Sequence, residues 1–146
     1  MAFGYWLVEN GRAIIEIHAC GAQGQEACGR IAWLAEPDKP DGRPKIDMNN
    51  PVPELRGAPL CGLRLLSGLS RLGPGTWSGG SIYDSRNGSV WSVEVTALGP
   101  RRLDVRGYLG ISLLGRSQIW TRQPDNRDGC GVDLPPIEAG AAGGPH

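Results

Sequence analysis

The stretch SVWSVEVTAL (residues 89–98) alternates apolar and polar side chains. Trp91, Val93, Val95 and Ala97 share one face, while Ser92, Glu94 and Thr96 share the other. A period of two is what a strand with one dry face requires, because successive side chains point to opposite sides of a sheet. The residues just before it, SRNG (85–88), hold an Asn-Gly pair that tolerates the positive φ of a type I′ hairpin turn. Strand, tight turn, strand is the local rule, and it repeats outward in both directions.

Upstream, GYWLVE (4–9) and AIIEIHAC (13–20) flank a second Asn-Gly turn, and CGRIAWLAE (28–36) follows. WSGGSIYD (77–84) precedes the central stretch; RLDVRGYLG (102–110) and SQIWTR (117–122) follow it. One segment is ambiguous. Leu60, Leu63, Leu66 and Leu69 recur every three residues, as in a helix, but Gly62 and Gly68 would each cost that helix about 1 kcal/mol relative to Ala. LRLLSGL (63–69) is therefore read as a strand, which brings the count to eight. Eight antiparallel strands in simple order suffice to close a barrel, and closure removes the exposed sheet edges. The expectation is an all-β, eight-stranded up-and-down barrel over residues 1–123, with one long loop between strands 3 and 4. A Gly/Pro/Ala-rich tail, 124–146, holds little that could be buried and is expected to be flexible, with Arg127 in it inert.

Composition narrows the function. Fifteen basic residues balance 15 acidic ones, so nothing marks a nucleic-acid surface. No apolar run reaches the roughly 18 residues of a transmembrane helix. The 23 glycines in 146 residues are about twice average usage, which suits β-structure better than helix. No basic-then-apolar leader opens the chain, which fits either a cytoplasmic protein or an exported one already trimmed.

The cysteines favour export to the periplasm or beyond. Cys20 ends the second strand and Cys28 begins the third, so a hairpin places them together across the loop GAQGQEA. A disulfide there contributes about 2–3 kcal/mol and belongs to an oxidising compartment. Cys61 and Cys130 either pair with each other and tie down the tail, or stay free.

Catalytic signatures are missing. His18 lies on a strand as a surface residue, and His146 ends the tail. GPGTWSGG (73–80) lacks the Lys-Ser/Thr pair and helix of a phosphate loop. Asp38, Asp41 and Asp47 lack the spacing of a calcium loop and read as solvated. The chain is expected to be no enzyme and to use no metal or cofactor.

The long loop carries IDMNNPVPELRGAPLCG (46–62). Asn50-Pro51 and Val52-Pro53 stiffen it, and Pro53 suits the start of a short helical turn. Asn50, Pro51, Pro53, Leu55 and Arg56 then form either a lid over a barrel mouth or a fixed cap. In the cap, Leu55 and Leu60 are pinned on the barrel and Arg56 binds backbone carbonyls.

The motifs GYWLVENGRAIIEIHACG, CGRIAWL, DMNNPVPELRGAPLCGL, WSGGSIYDSRNGSVW and LDVRGYLGISLLGRSQIWTR together resemble the bacterial family known as domain of unknown function 2147, over residues 4–122. The Asn-Pro-x-Pro-x-Leu-Arg, Gly-x-Ile-Tyr-Asp and Arg-Gly-Tyr-x-Gly runs come in that family's order. The resemblance implies small exported proteins with a lipocalin-like barrel and promises no activity. Lipocalin-like barrels pair a Gly-x-Trp in the first strand with an Arg near the last. Gly4-Tyr5-Trp6 and Arg122 occupy those places, so Arg122 is expected over the Trp6 ring as a structural plug.

Two readings of the barrel interior remain. In the first, Trp33, Trp77, Tyr83, Trp91, Arg106, Tyr108 and Gln118 line a pocket for a small apolar or acidic amphiphilic ligand. In the second the barrel is filled, and the protein works through its surface as a cell-envelope interaction protein or oligomer component. Which applies depends on the phase of the strands carrying Arg106 and Gln118, which alternation alone does not fix.

Overall fold

The computed structural model describes residues 2–109, 115–127, 129 and 130. Eight strands form a closed antiparallel barrel in sequential order: β1 (Gly4–Leu7), β2 (Ala13–Cys20), β3 (Glu26–Leu34), β4 (Arg64–Gly73), β5 (Thr76–Asp84), β6 (Ser89–Ala97), β7 (Arg102–Tyr108) and β8 (Arg116–Gln123). β1 meets β8 through Tyr5↔Gln123, Trp6↔Arg122 and Leu7↔Thr121, and this seam closes the sheet. A short 3₁₀ turn, Pro53–Leu55, sits in the loop between β3 and β4, with proline at its start. The leucine-rich segment is strand β4, as its glycines suggested; Gly68 takes φ +69° within it.

The barrel has two unlike ends. The chain enters at the base, where the β2–β3, β4–β5 and β6–β7 turns also lie. The β1–β2, β3–β4 and β5–β6 connections lie at the mouth, where β7 ends and β8 begins. The base is plugged. Trp6 is fully buried and donates its indole N–H to the Ala2 carbonyl at 2.7 Å. The Arg122 guanidinium carbon lies 4.3 Å from the Trp6 ring centre, as the lipocalin resemblance implied. Phe3 packs on Trp77 with ring centres 5.8 Å apart. Ile15, Ile17, Leu66, Leu69, Val93, Val95, Leu103 and Trp120 complete a contiguous buried core.

Cys20 and Cys28 are bonded, with α-carbons 5.9 Å apart. They are diagonal neighbours, since Cys20 pairs with Glu26 and Cys28 with His18. Cys61 and Cys130 form a second bridge. It fastens a strap that leaves β8 and returns outside the barrel. Burial, then the charge of Glu16 and more weakly that of Asp125, disfavour the Tyr5 phenolate on β1, while Arg30 acts the other way. Arg127 places its guanidinium carbon 4.4 Å from the Trp33 ring centre on β3. Arg127 is therefore a packing residue, contrary to the expectation that it is inert. Outward-facing Ile14 and its neighbour Ala32 are fully buried beside Trp33. The remainder of the tail, 131–146, lies outside the described residues.

Register overturns several facing assignments. Between β2 and β3, Ile14 pairs with Trp33 but Ile15 with Ile31, so Ala32 is an extra residue. This bulge turns Trp33 outward, with Ile14, away from the barrel interior. Between β5 and β6, Trp77 pairs with Val95 but Gly80 with Val93. Gly79, at φ +78°, absorbs the extra residue. Trp77 therefore faces in with Ile82, and Tyr83 faces out; the two do not share a face. On β7, Leu103, Val105 and Gly107 pair with inward residues of β6, which leaves Arg106 and Tyr108 on the outer surface. Only the Gln118 half of the expected polar wall faces inward.

Candidate functional site

The inner surface from β5 to β8 is laid out in rows. Nearest the base, Ala97, Leu103 and Trp120 are register partners. Above them come Trp77, Val95, Val105 and Gln118, and then Gly80, Val93, Gly107 and Arg116. At the mouth, Ile82 pairs with Trp91 on one side and with Leu66 on the other. Burial follows the rows. Leu103, Trp120, Val95, Val105, Trp77 and Val93 are buried, Ile82 and Trp91 are half-buried, and Gln118 and Arg116 are exposed.

The two glycines in these rows differ. A β-carbon at Gly80 would collide with the Ser67 carbonyl of β4, so this glycine lets two backbones touch. A β-carbon at Gly107 would sit 3.7 Å from both an Ile82 methyl and the Trp91 β-carbon. That is ordinary contact distance, so Gly107 leaves a gap of about one methyl group at the mouth. Trp91 donates its indole N–H to the Ser89 hydroxyl at 3.1 Å, which fixes the ring along this wall.

Beside the gap, the end of β8 is open. β1 stops at Leu7, opposite Thr121, so β8 above Thr121 has no β1 partner. Its Ile119 N–H is taken by the Glu9 carboxylate at 2.8 Å. Trp120 donates its indole N–H to Gln118 Oε1 at 3.1 Å. An indole N–H is a donor only, so the Gln118 oxygen must face the core and its amide NH₂ must face away from it.

The long loop is clasped to the β5–β6 end. Residues 45–47 and 58–60 form a short ribbon through Leu60 N–H to Lys45 C=O at 2.9 Å and Asp47 N–H to Ala58 C=O at 2.8 Å. Asp47, read from sequence as solvated, is 1% exposed. Its carboxylate accepts from the Tyr83 hydroxyl at 2.7 Å and from the Asn50 amide at 2.8 Å. Burial and this carboxylate push the Tyr83 phenol up to about 12. Asn49 donates to the Ser85 and Arg86 carbonyls at 3.2 and 2.9 Å. Its own carbonyl lies against Gly88, where a β-carbon would collide and φ is +76°. Arg56 donates to the Asn50 carbonyl at 2.7 Å, matching its expected part in a cap, and Asn50 Oδ1 accepts from Val52 N–H. Pro51 and Pro53 are exposed, Leu55 is half-buried, and Leu60 packs on the core.

Of the expected ligand-lining residues, Trp91 thus reaches the inner surface at the mouth and Gln118 the inner side of β8, one row nearer the base than Arg116. Trp77 belongs to the packed core, and Trp33, Tyr83, Arg106 and Tyr108 face outside. Arg106 donates to the Ser117 hydroxyl at 3.3 Å on that outer face. Ile82, Gly107 and Arg116 were not placed in the site by the sequence, although the doublet Gly79-Gly80 signals the bulge that brings Ile82 inward.

The structure is similar to a solved one described as protein HP1028 from the human pathogen Helicobacter pylori, which belongs to the lipocalin family. The TM-score is 0.74 at 20% identity, over 87% of this chain and 86% of that one. The likeness is one of fold. No curated protein matches the sequence. The family described as uncharacterized protein conserved in bacteria, DUF2147, matches residues 4–122. That span runs from the first residue of β1 to the arginine that covers Trp6, and the chain belongs to this family.

Proposed function

We propose that the mouth half of the barrel takes up one small amphiphile, and that the protein binds rather than catalyses. One observation carries this reading. The rows at the base are packed, whereas Ile82 and Trp91 at the mouth stay half-buried beside the gap at Gly107. An apolar wall with few polar groups is the usual make-up of a small-molecule site. Two disulfides in a small chain support an oxidising compartment, and with it export. Trp91 is the natural reporter. Titration with medium-chain amphiphiles should change tryptophan emission in the native protein and leave it almost unchanged in Trp91→Phe. Equal responses from both proteins would place the ligand elsewhere, and no response from either would reject the reading.

A second reading rests on exposed apolar side chains. Met48 and Val52 on the loop, and Val90 on β6 opposite Tyr83, are exposed at the same end of the barrel. Such a patch suits self-association. Sedimentation of Val90→Asp against the native protein tests it: an unchanged monomer in both removes this alternative.

A further inference from the structure

We propose that the mouth site selects amphiphiles with an anionic head group, held by Arg116 and the Gln118 amide on the inner edge of β8. This rests on the binding reading above and adds the ligand's chemical class.

The argument starts from register. Arg116 pairs with Gly107, whose vacant β-carbon position points at Ile82 and Trp91 inside the mouth. Paired residues in an antiparallel ladder project to the same side. Arg116 therefore leaves the strand toward the interior, beside the gap at Gly107. Two residues along, Gln118 leaves β8 on the same side. The core indole N–H of Trp120 claims its oxygen, so what it offers the mouth is its NH₂. The inner edge of β8 thus presents hydrogen-bond donors and one positive charge. Neither group donates to an acceptor among the described residues, and Arg116 has no carboxylate within ion-pair distance there. The facing wall of Ile82, Trp91 and Gly107 is apolar. A carboxylate or similar anion on an alkyl chain satisfies both sides: the head group meets the donors, and the chain lies along the wall. Arg106, the cation that sequence suggested for this role, is on the outer surface and serves as the control.

Decanoate and 1-decanol, each below its aggregation concentration at pH 8 and low salt, are titrated against the native protein, Arg116→Gln, Gln118→Glu and Arg106→Gln, with tryptophan emission as the readout. Gln118→Glu keeps the acceptor for Trp120 and replaces the donors with a charge of the wrong sign. Native protein and Arg106→Gln should prefer decanoate. Arg116→Gln and Gln118→Glu should lose about three- to tenfold in decanoate affinity, with decanol unchanged. Added salt should narrow the gap. Equal affinity of the native protein for acid and alcohol, or equal losses for both in Arg116→Gln, overturns the head-group assignment and leaves the binding reading standing. Absence of binding by either compound overturns both.

Discussion

Arg122 and Trp6 are cross-strand partners on the seam that closes the barrel, with the guanidinium carbon 4.3 Å from the ring centre. Arg122 also donates to the Phe3 carbonyl at 2.8 Å and to the Pro100 carbonyl at 2.7 Å. One side chain thus ties the entering chain, β8 and the β6–β7 turn together. Arg122→Ala should destabilise the fold by about 2–3 kcal/mol, from the stacking and the lost charge-assisted bonds. Arg122→Lys should recover only part of this, because an ammonium cannot stack and fork as a guanidinium does. A urea midpoint for Arg122→Ala equal to that of the native protein would show that the contact contributes nothing.

The second bridge should count for more than the first. Cys61–Cys130 closes a separation of 69 residues and Cys20–Cys28 one of 8. Chain-entropy reasoning gives about 4 kcal/mol for the long closure and about 2.5 kcal/mol for the short one. Paired serine substitutions at each bridge, compared by denaturation without reductant, should fall in that order. Mass spectrometry of oxidised protein should find both bridges. Arg127→Ala should cost about 0.5–1 kcal/mol through its stacking on Trp33.

Tyr83→Phe leaves the buried Asp47 carboxylate with one donor fewer. That should cost about 1–3 kcal/mol. The phenol also makes stability depend on alkali. Its folded value, about 12, lies above the ordinary 10.0. Its contribution is complete below pH 10 and is lost as pH rises from there toward the folded value. Alkaline denaturation curves of native protein and Tyr83→Phe should converge across that window. Parallel curves would mean that the hydroxyl does not bind Asp47.

His18 gives the opposite sign near neutrality. Burial on the outer face, and more weakly Arg64 and Arg30, hold its imidazole below the ordinary 6.5; the Ala19 carbonyl and Glu16 act the other way. The neutral ring is favoured in the folded chain. Its contribution is complete above pH 6.5 and is lost as pH falls from 6.5 through the folded value, because the unfolded chain takes up the proton first. His18→Gln should flatten the thermal midpoint over that range. An unchanged slope would assign the pH dependence to other groups.

The glycines of the third inner row should separate packing from space. Gly80→Ala forces a β-carbon into the Ser67 carbonyl, so the β4–β5 contact must open and stability should drop by roughly 2 kcal/mol or more. Gly107→Ala meets only ordinary contacts. It should leave stability within about 0.5 kcal/mol while weakening amphiphile uptake. Unaltered uptake in Gly107→Ala would remove that gap from the site.

Strand number, order and closure were legible in the sequence, because alternation and Asn-Gly turns are local signals. The seam was legible too, since a meander that closes must bring Trp6 beside Arg122. What failed was phase. Ala32 and Gly79 each insert one residue inside a strand, and every side chain beyond such a bulge changes sides. That is why Trp33 and Tyr83 were assigned to the interior. Arg106 fails differently: it pairs with Ser117, beside Gln118 rather than opposite it, and so lies on the other side of the sheet from Gln118. Asp47 was read as solvated because its burial depends on Tyr83, 36 residues away in the chain.

The strap also imposes an order in time. Cys20 and Cys28 can meet as soon as one hairpin has left the ribosome. Cys130 can reach Cys61 in its native place only after β8 has found β1 and the following residues have crossed β1 and β2. Oxidation there certifies a finished circuit, since any half-wound barrel leaves that thiol pair apart. Once made, the bond bars the reverse route. β1 is only four residues long and is the natural place for the ring to come unzipped. With the strap locked across it, the last strand cannot peel away from the C-terminal side. The protein should therefore open slowly, and reduction should speed that opening as well as lower the midpoint.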